Sequence, residues 1–194
     1  MRIGIDIDDT MTDISEKLKL AALEYARYLG KSIVYSGEDF VDAKNDGSIY
    51  QKKFGFNEDE LKYFLKDIQE GVTDNVFPRE NCVEIIDKLK NEGHEIIVVT
   101  ARSFEFHDDP FGKSKKWLEK HNIKYDKLIV NAIDKGLVCK NEAIDLLIDD
   151  NINNCLSAAN ENIKVIVFSK NKIDNMICTN NWLEVYEIIK DFKN

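Results

Sequence analysis

The feature that most constrains this chain is a regular alternation between short apolar runs and segments with helical periodicity. The runs are too short for helices, and the segments between them repeat apolar residues at helical spacing. Such alternation predicts right-handed crossovers and a parallel sheet covered by helices on both faces. We therefore predict an α/β protein with a Rossmann-like parallel sheet. The predicted strands lie at 3–7, 95–100, 127–130, 146–148 and 165–168.

The spacing of these strands is uneven in one place. Residues 8–94 separate the first strand from the second, whereas a parallel crossover needs only about a dozen residues or more. The excess is roughly 50 residues beyond a single helical crossover, and it contains no Pro- or Ser-rich linker. We predict a small helical cap inserted after the first strand. The predicted core domain is 1–12 with 79–194, and the predicted cap is 13–78.

Composition limits the partners of this chain. It carries 36 acidic and 27 basic residues, a formal net charge of −9, which argues against a nucleic-acid polymer or an anionic membrane surface. No apolar run approaches the ~20 residues of a membrane span, and early charge argues against a secretory signal. The four cysteines form no C-x-x-C pair and are typical of reduced thiols. We predict a cytoplasmic protein, and its oligomeric state stays open.

Three of the predicted strands end in reactive polar residues. In an open α/β sheet, ligands bind beyond the carboxyl ends of the strands. Clustered carboxylates there suit a hard divalent cation such as Mg²⁺, and a threonine with a lysine can donate hydrogen bonds to phosphate oxygens. The pattern therefore predicts phosphoryl transfer. The residues concerned are Asp6, Asp8, Asp9 and Thr10 after the first strand, Thr100 after the second, Lys135 or Lys140, and Asp149 with Asp150.

These motifs, in this order, resemble those of the haloacid dehalogenase superfamily of phosphatases over most of the chain. The run 6–10 matches the first motif D-x-D-x-T/V, and Thr100, a lysine and the acidic pair match the other three. The resemblance implies a Mg²⁺-dependent phosphomonoesterase that forms an aspartyl-phosphate. It implies the following roles: Asp6 as nucleophile and metal ligand, Asp8 as acid/base and metal ligand through its backbone carbonyl, Thr100, Ala101 and Lys135 as phosphate-binding residues, Asp150 as a direct metal ligand, and Asp149 as an outer one.

Within that superfamily the chain looks most like the 5′(3′)-deoxyribonucleotidases and their bacterial relatives. The phrases 100–102 (Thr-Ala-Arg) and 148–151 (Ile-Asp-Asp-Asn) carry this finer likeness. It implies a small phosphorylated metabolite as substrate, specifically a (deoxy)nucleoside monophosphate. Two alternatives remain at this point: the same fold acting on a sugar phosphate or another metabolite, and a non-catalytic phosphate- or nucleotide-binding protein.

Two other interpretations of these motifs, a calcium loop and a phospho-receiver domain, agree less well with the sequence. A calcium loop beginning at Asp6 would need Gly and Glu where the chain has Met11 and Lys17. A phospho-receiver domain would carry its acceptor after the third strand, where only Asn131 stands.

Three questions about individual residues stay open from the sequence. Lys135 is favoured over Lys140 as the phosphate lysine because it begins a helix directly after a strand. Arg102 either contacts phosphate or braces its loop. The aromatic residues of the insertion form either the core of the cap or a base-stacking box. These are Phe40, Tyr50, Phe54, Phe56, Tyr63, Phe64 and Phe77.

Overall fold

The computed structural model describes residues 1–33, 48–104 and 108–192. The chain divides into two compact units, which we call the core unit (Met1–Thr12 and Phe77–Asn194) and the inserted unit (Asp13–Val76). Phe40, one of the candidate aromatics, lies outside the described residues. The role of the inserted unit as a cap stays a prediction.

The inserted unit is helical throughout its described elements. Its helix α1 begins at Ile14, and a second helical stretch runs from Glu58 to Asn75 through a π-helical turn. A capping box at Asn57 begins α3, since Asn57 and Glu60 each accept the other's backbone N–H. The elements are α1 (Ile14–Tyr28), α2 (Ser48–Phe54), α3 (Glu58–Tyr63), the π-helical turn (Phe64–Ile68) and α4 (Gln69–Asn75).

The core unit contains one six-stranded parallel sheet, which confirms the predicted α/β class. The sixth strand has only two residues and was not predicted. Within the described residues the strand order is β3-β2-β1-β4-β5-β6, with every neighbouring pair parallel. The strands are β1 (Arg2–Ile5), β2 (Glu95–Val99), β3 (Lys127–Ile129), β4 (Leu146–Asp149), β5 (Lys164–Phe168) and β6 (Cys178–Thr179).

Both faces of this sheet are buried. Four consecutive residues of β2, from Ile96 to Val99, have no exposed surface. Successive side chains of a strand point to opposite faces, so the sheet must be covered on both sides. The helices of the core unit are α5 (Cys82–Asn91), α6 (Pro110–Lys120), α7 (Lys135–Asn141), α8 (Ile152–Asn160) and α9 (Trp182–Asp191). Across the described residues, every helix is too short or too polar to span a membrane.

The strand order reverses at β1, which lies between β2 and β4. Connections leave the sheet in opposite directions on the two sides of such a point, and a crevice opens at the carboxyl ends of the strands. The register places Ile5 of β1 beside both Val98 and Ile148. The residues that follow these three positions therefore meet at one edge of the sheet.

Candidate active site

Asp6 is the first residue after β1 and lies at this crevice. Its backbone N–H donates to the carbonyl of Ile148 at 3.0 Å, and the residue is only 5% exposed. The chain then turns back on itself, since the N–H of Thr12 donates to the carbonyl of Ile7 at 3.1 Å. Asp9 takes a φ of +57° within this turn, a left-handed conformation that aspartate tolerates better than most residues. The acidic run is thus a compact turn and not an extended strand end.

Lys135 is the first residue of α7, and it joins two of the acids. Its Nζ lies 2.6 Å from Oδ1 of Asp6 and 2.5 Å from Oδ2 of Asp149, and its side chain is 2% exposed. Asp134 caps the helix by accepting the N–H of Leu137 at 3.1 Å. This cap fixes the start of α7, and with it the position from which the lysine reaches the carboxylates.

Close packing of α7 against α8 also holds Lys135 in place. A Cβ atom on Gly136 would lie 2.5 Å from the backbone oxygen of Ser157, so the glycine lets the two helices approach. Lys140, on the same helix, has a side chain that is 60% exposed and pairs with Glu161 at 2.7 Å. The structure thus brings Lys135 to the acidic cluster and leaves Lys140 on the surface.

Substituting Gly136 by alanine should destabilise the core unit. The added methyl group would overlap Ser157, and overpacking of this kind costs about 1–3 kcal/mol of unfolding free energy. Gly71→Ala is the matched control, because a Cβ at Gly71, within α4, would meet no atom within 4 Å. Urea denaturation of both variants measures the difference. Equal stabilities would contradict the packing that we describe.

The two acids at the end of β4, Asp149 and Asp150, lie in different environments. Asp149 is fully buried, and besides the lysine its carboxylate accepts the N–H of Asn151 at 2.8 Å and the amide of Asn154 at 3.0 and 3.2 Å. Asp150 is partly exposed, and its backbone N–H donates to the hydroxyl of Thr10 at 3.0 Å. The carboxylate of Asp149 is saturated by protein donors, and the carboxylate of Asp150 is the more available of the two.

The three acids Asp6, Asp149 and Asp150 each place one carboxylate oxygen within 4.8 Å of the others. Burial, together with the charges of Asp149 and Asp8, raises the pKa of Asp6 to about 7, against the opposing effect of Lys135. Burial and the neighbouring carboxylates also raise the pKa of Asp150 well above its ordinary value. Burial lowers the pKa of Lys135, but the two carboxylates outweigh it and raise the value overall. The cluster thus brings together more carboxyl groups than one lysine can neutralise.

Thr100 directly follows β2 at the same edge. Its N–H donates to the carbonyl of Ile129 at 2.9 Å, and its own carbonyl accepts the N–H of Ala132 at 3.0 Å. The buried hydroxyl oxygen accepts the N–H of Arg102 at 3.3 Å, so its hydrogen can be donated elsewhere. Ala101 follows, half-buried. The predicted phosphate-binding residues therefore lie on a loop with a well-fixed backbone.

Arg102 forms an ion pair that neither of the two roles left open by the sequence includes. Its guanidinium forms a bidentate ion pair with Asp8, with Nε–Oδ2 at 2.8 Å and Nη2–Oδ1 at 2.6 Å. Sequence reasoning did not foresee this pair, because the two residues lie 94 positions apart.

Sequence reasoning also missed three residues that support the site. Asn154 lies one helical turn beyond the acidic pair, and a polar residue at that spacing is a signal that could have found it. Arg79 donates to the carbonyl of Asp9 at 3.1 Å, and the indole of Trp182 donates to the carbonyl of Thr10 at 3.3 Å. Nothing in the local sequence around Arg79 or Trp182 predicts these contacts, which join segments far apart along the chain.

Several aromatic residues of the inserted unit pack together in its core. Tyr25 packs edge-on against Phe56, with ring centroids 5.1 Å apart. Tyr63 is 51% exposed. Phe77 belongs to the core unit and is 74% exposed. Four of the candidate aromatics are therefore core residues of this unit, as the first of the two alternatives predicted. They are Tyr50, Phe54, Phe56 and Phe64.

Comparison with known proteins agrees with this fold. The chain matches the sequence model of the family described as 5′ nucleotidase, deoxy (pyrimidine), cytosolic type C, over residues 1–193. A Bacillus cereus protein provisionally named a nucleotidase is 29% identical over 119 residues, a match that spans 61% of this chain and 57% of that protein.

Solved structures share the fold. One is a Thermotoga maritima protein provisionally called a β-phosphoglucomutase, with a TM-score of 0.72, 13% identity, and coverage of 98% of this chain and 99% of that one. Another is a haloacid dehalogenase-like hydrolase from Streptococcus pneumoniae, with a TM-score of 0.68, 11% identity, and coverage of 97% of each chain. Identities this low show a common fold and nothing finer.

Proposed function

This chain belongs to the family of cytosolic type C 5′ nucleotidases, hydrolases of the haloacid dehalogenase superfamily, and on that basis we propose that it is a Mg²⁺-dependent phosphomonoesterase with Asp6 as nucleophile. One observation carries the proposal. Asp6, Lys135 and the acidic pair converge at the point where the strand order reverses, although Asp6 and Lys135 lie 129 positions apart along the chain.

The donor set fits Mg²⁺. Carboxylate and carbonyl oxygens are the ligands that this hard cation prefers, and the raised pKa values of Asp6 and Asp150 mark negative charge that a cation would relieve. Asp6, Asp150 and the backbone carbonyl of Asp8 would hold the ion, with Asp149 outside because its oxygens are already hydrogen-bonded. When bound, the cation neutralises charge so that an anionic nucleophile can approach an anionic phosphate.

The residues of the chain then account for both halves of the reaction. Lys135 holds Oδ1 of Asp6, which leaves the other oxygen to attack phosphorus. The P–O bond of the ester breaks, and Asp8 gives a proton to the leaving oxygen. Asp8 next takes a proton from a water that attacks the phosphoryl group on Asp6, which releases phosphate and restores both carboxyl groups. Thr100 and Ala101 would donate to the phosphate oxygens throughout.

The substrate in this proposal is a (deoxy)nucleoside monophosphate. The family match over almost the whole chain supports it. The inserted unit would act as a cap, since exclusion of water favours transfer to Asp6 over side reactions. The test is a panel of ribo- and deoxyribonucleoside 5′- and 3′-monophosphates beside sugar phosphates, each with Mg²⁺. Turnover of sugar phosphates alone would contradict the nucleotide substrate, and no turnover of any ester would contradict the enzyme.

Removal of divalent cations should abolish turnover. We expect EDTA to lower the rate at least about 100-fold, because metal charge stabilisation is worth several kcal/mol. Added Mg²⁺ should restore the rate. Calcium should restore little, because its larger radius and looser coordination suit the compact carboxylate set poorly. Full activity in EDTA would exclude the proposed metal dependence.

A further inference from the structure

The ion pair between Arg102 and Asp8 gives the site a component that its motifs do not include. The guanidinium contacts both oxygens of the carboxylate, at 2.8 and 2.6 Å. The arginine side chain is 3% exposed, whereas that of Asp8 is 35% exposed. A nearly inaccessible cation thus holds a carboxylate that solvent can still reach.

The backbone of Arg102 is fixed at both ends. Its N–H donates to the hydroxyl of Thr100 at 3.3 Å, and its carbonyl accepts the N–H of Asn131 at 2.8 Å. The loops after β2 and β3 therefore both hold it. A planar guanidinium with two parallel hydrogen bonds fixes the plane of a carboxylate as well as its distance. The position of Asp8 is thus set by a rigid neighbour and not by its own turn alone.

We infer that Arg102 is a positioning residue that orients Asp8 for proton transfer, an inference that rests on the proposed function. Each carboxylate oxygen offers two lone-pair sites. The two hydrogen bonds of the guanidinium use one site on each oxygen, and the 35% exposure of the Asp8 side chain lets the leaving oxygen and water reach the carboxylate for proton transfer. Arg102 acts through Asp8 and does not contact the phosphate.

A phosphate contact by Arg102 is the rival role, and it has different kinetic consequences. It would raise KM, weaken inhibition by inorganic phosphate, and tolerate lysine, since an ammonium also binds phosphate. A positioning role lowers kcat, leaves inhibition by phosphate unchanged, and does not tolerate lysine, because an ammonium cannot hold both oxygens in one plane.

The test is a double-mutant cycle with Arg102→Met and Asp8→Asn, with Arg102→Lys beside it. The probe is p-nitrophenyl phosphate, because the coloured product keeps slow steady-state rates measurable. A positioned acid/base contributes about 10²–10⁴-fold, so we expect Arg102→Met and Arg102→Lys to lower kcat by about 10- to 100-fold. In the Asp8→Asn background the same changes should alter kcat by less than about twofold.

Equal losses in both backgrounds, or a weakened inhibition by inorganic phosphate, would overturn the positioning role in favour of a phosphate contact. Unchanged kcat in both Arg102 variants would overturn it as well. Thermal melting of each variant checks the fold, and Arg102→Lys, which keeps the charge, carries the test if the methionine variant unfolds. An inactive wild-type protein would instead refute the proposed function itself, so the two failures are distinguishable.

Discussion

Asp6→Asn should lower Mg²⁺-dependent turnover by at least about 10³-fold while the protein stays folded, because an amide cannot form the acyl phosphate. The fold should persist because asparagine has the same shape, and Lys135 keeps its ion pair with Asp149 at 2.5 Å. Turnover of p-nitrophenyl phosphate measures the first expectation, and urea denaturation measures the second.

The control for this variant is Asp13→Asn. Asp13 directly precedes α1, its side chain makes no capping hydrogen bond, and it forms only a partly exposed pair with Lys17 at 3.5 Å. We expect this change to leave turnover within about twofold of the wild type, since such surface pairs contribute little. Unchanged turnover in Asp6→Asn would eliminate Asp6 as the nucleophile. A rate as low in the control would point to a general loss of structure.

Lys135→Met should cost about 3–5 kcal/mol of unfolding free energy, the largest stability effect that we expect from a single change. The substitution removes the cation from two buried carboxylates, those of Asp6 and Asp149, whose oxygens lie 2.6 and 2.5 Å from its Nζ. Uncompensated negative charge then remains inside the core unit. Urea denaturation in the presence of EDTA measures the cost without a contribution from bound metal.

Lys140→Met is the matched control on the same helix. Its ion pair with Glu161 is exposed, so its loss should cost less than about 1 kcal/mol. The two variants should also differ in turnover. Lys135→Met should lower it at least about 100-fold, because the lysine positions the nucleophile and stabilises charge in the transition state. Lys140→Met should keep a rate near that of the wild type. Equal effects of the two changes on stability and turnover would refute the assignment of Lys135.

The angular positions of the two lysines on α7 explain why the sequence could favour Lys135 as the phosphate lysine but could not exclude Lys140. Both lysines belong to α7, and a position five residues further along a helix points in a different direction. The side of α7 that faces the acids depends on its contact with α8, which Gly136 permits. That contact joins two segments whose packing no local pattern encodes.

Local sequence patterns could not predict one element, for a similar reason. The two-residue strand β6 exists because β5 offers it a parallel edge, and two residues carry no periodicity of their own. Helix α6 is the contrary case, because it begins at Pro110 after Asp109, and an aspartate followed by proline is a recognisable start signal. A local pattern therefore marks the start of this helix, whereas none marks the strand.

By itself, the sequence determined the fold class and the polar residues that stand at the strand ends. The alternation of apolar runs and helices specifies a parallel sheet, and a parallel sheet brings the carboxyl ends of its strands to one edge. Asp6, Thr100 and the acidic pair could therefore be predicted to meet.

Only the tertiary structure decided how these residues are paired: Asp149 with Lys135, and Asp8 with Arg102. Strand order and helix packing set those distances. They depend on contacts between residues far apart along the chain, which leave no periodic trace in the sequence.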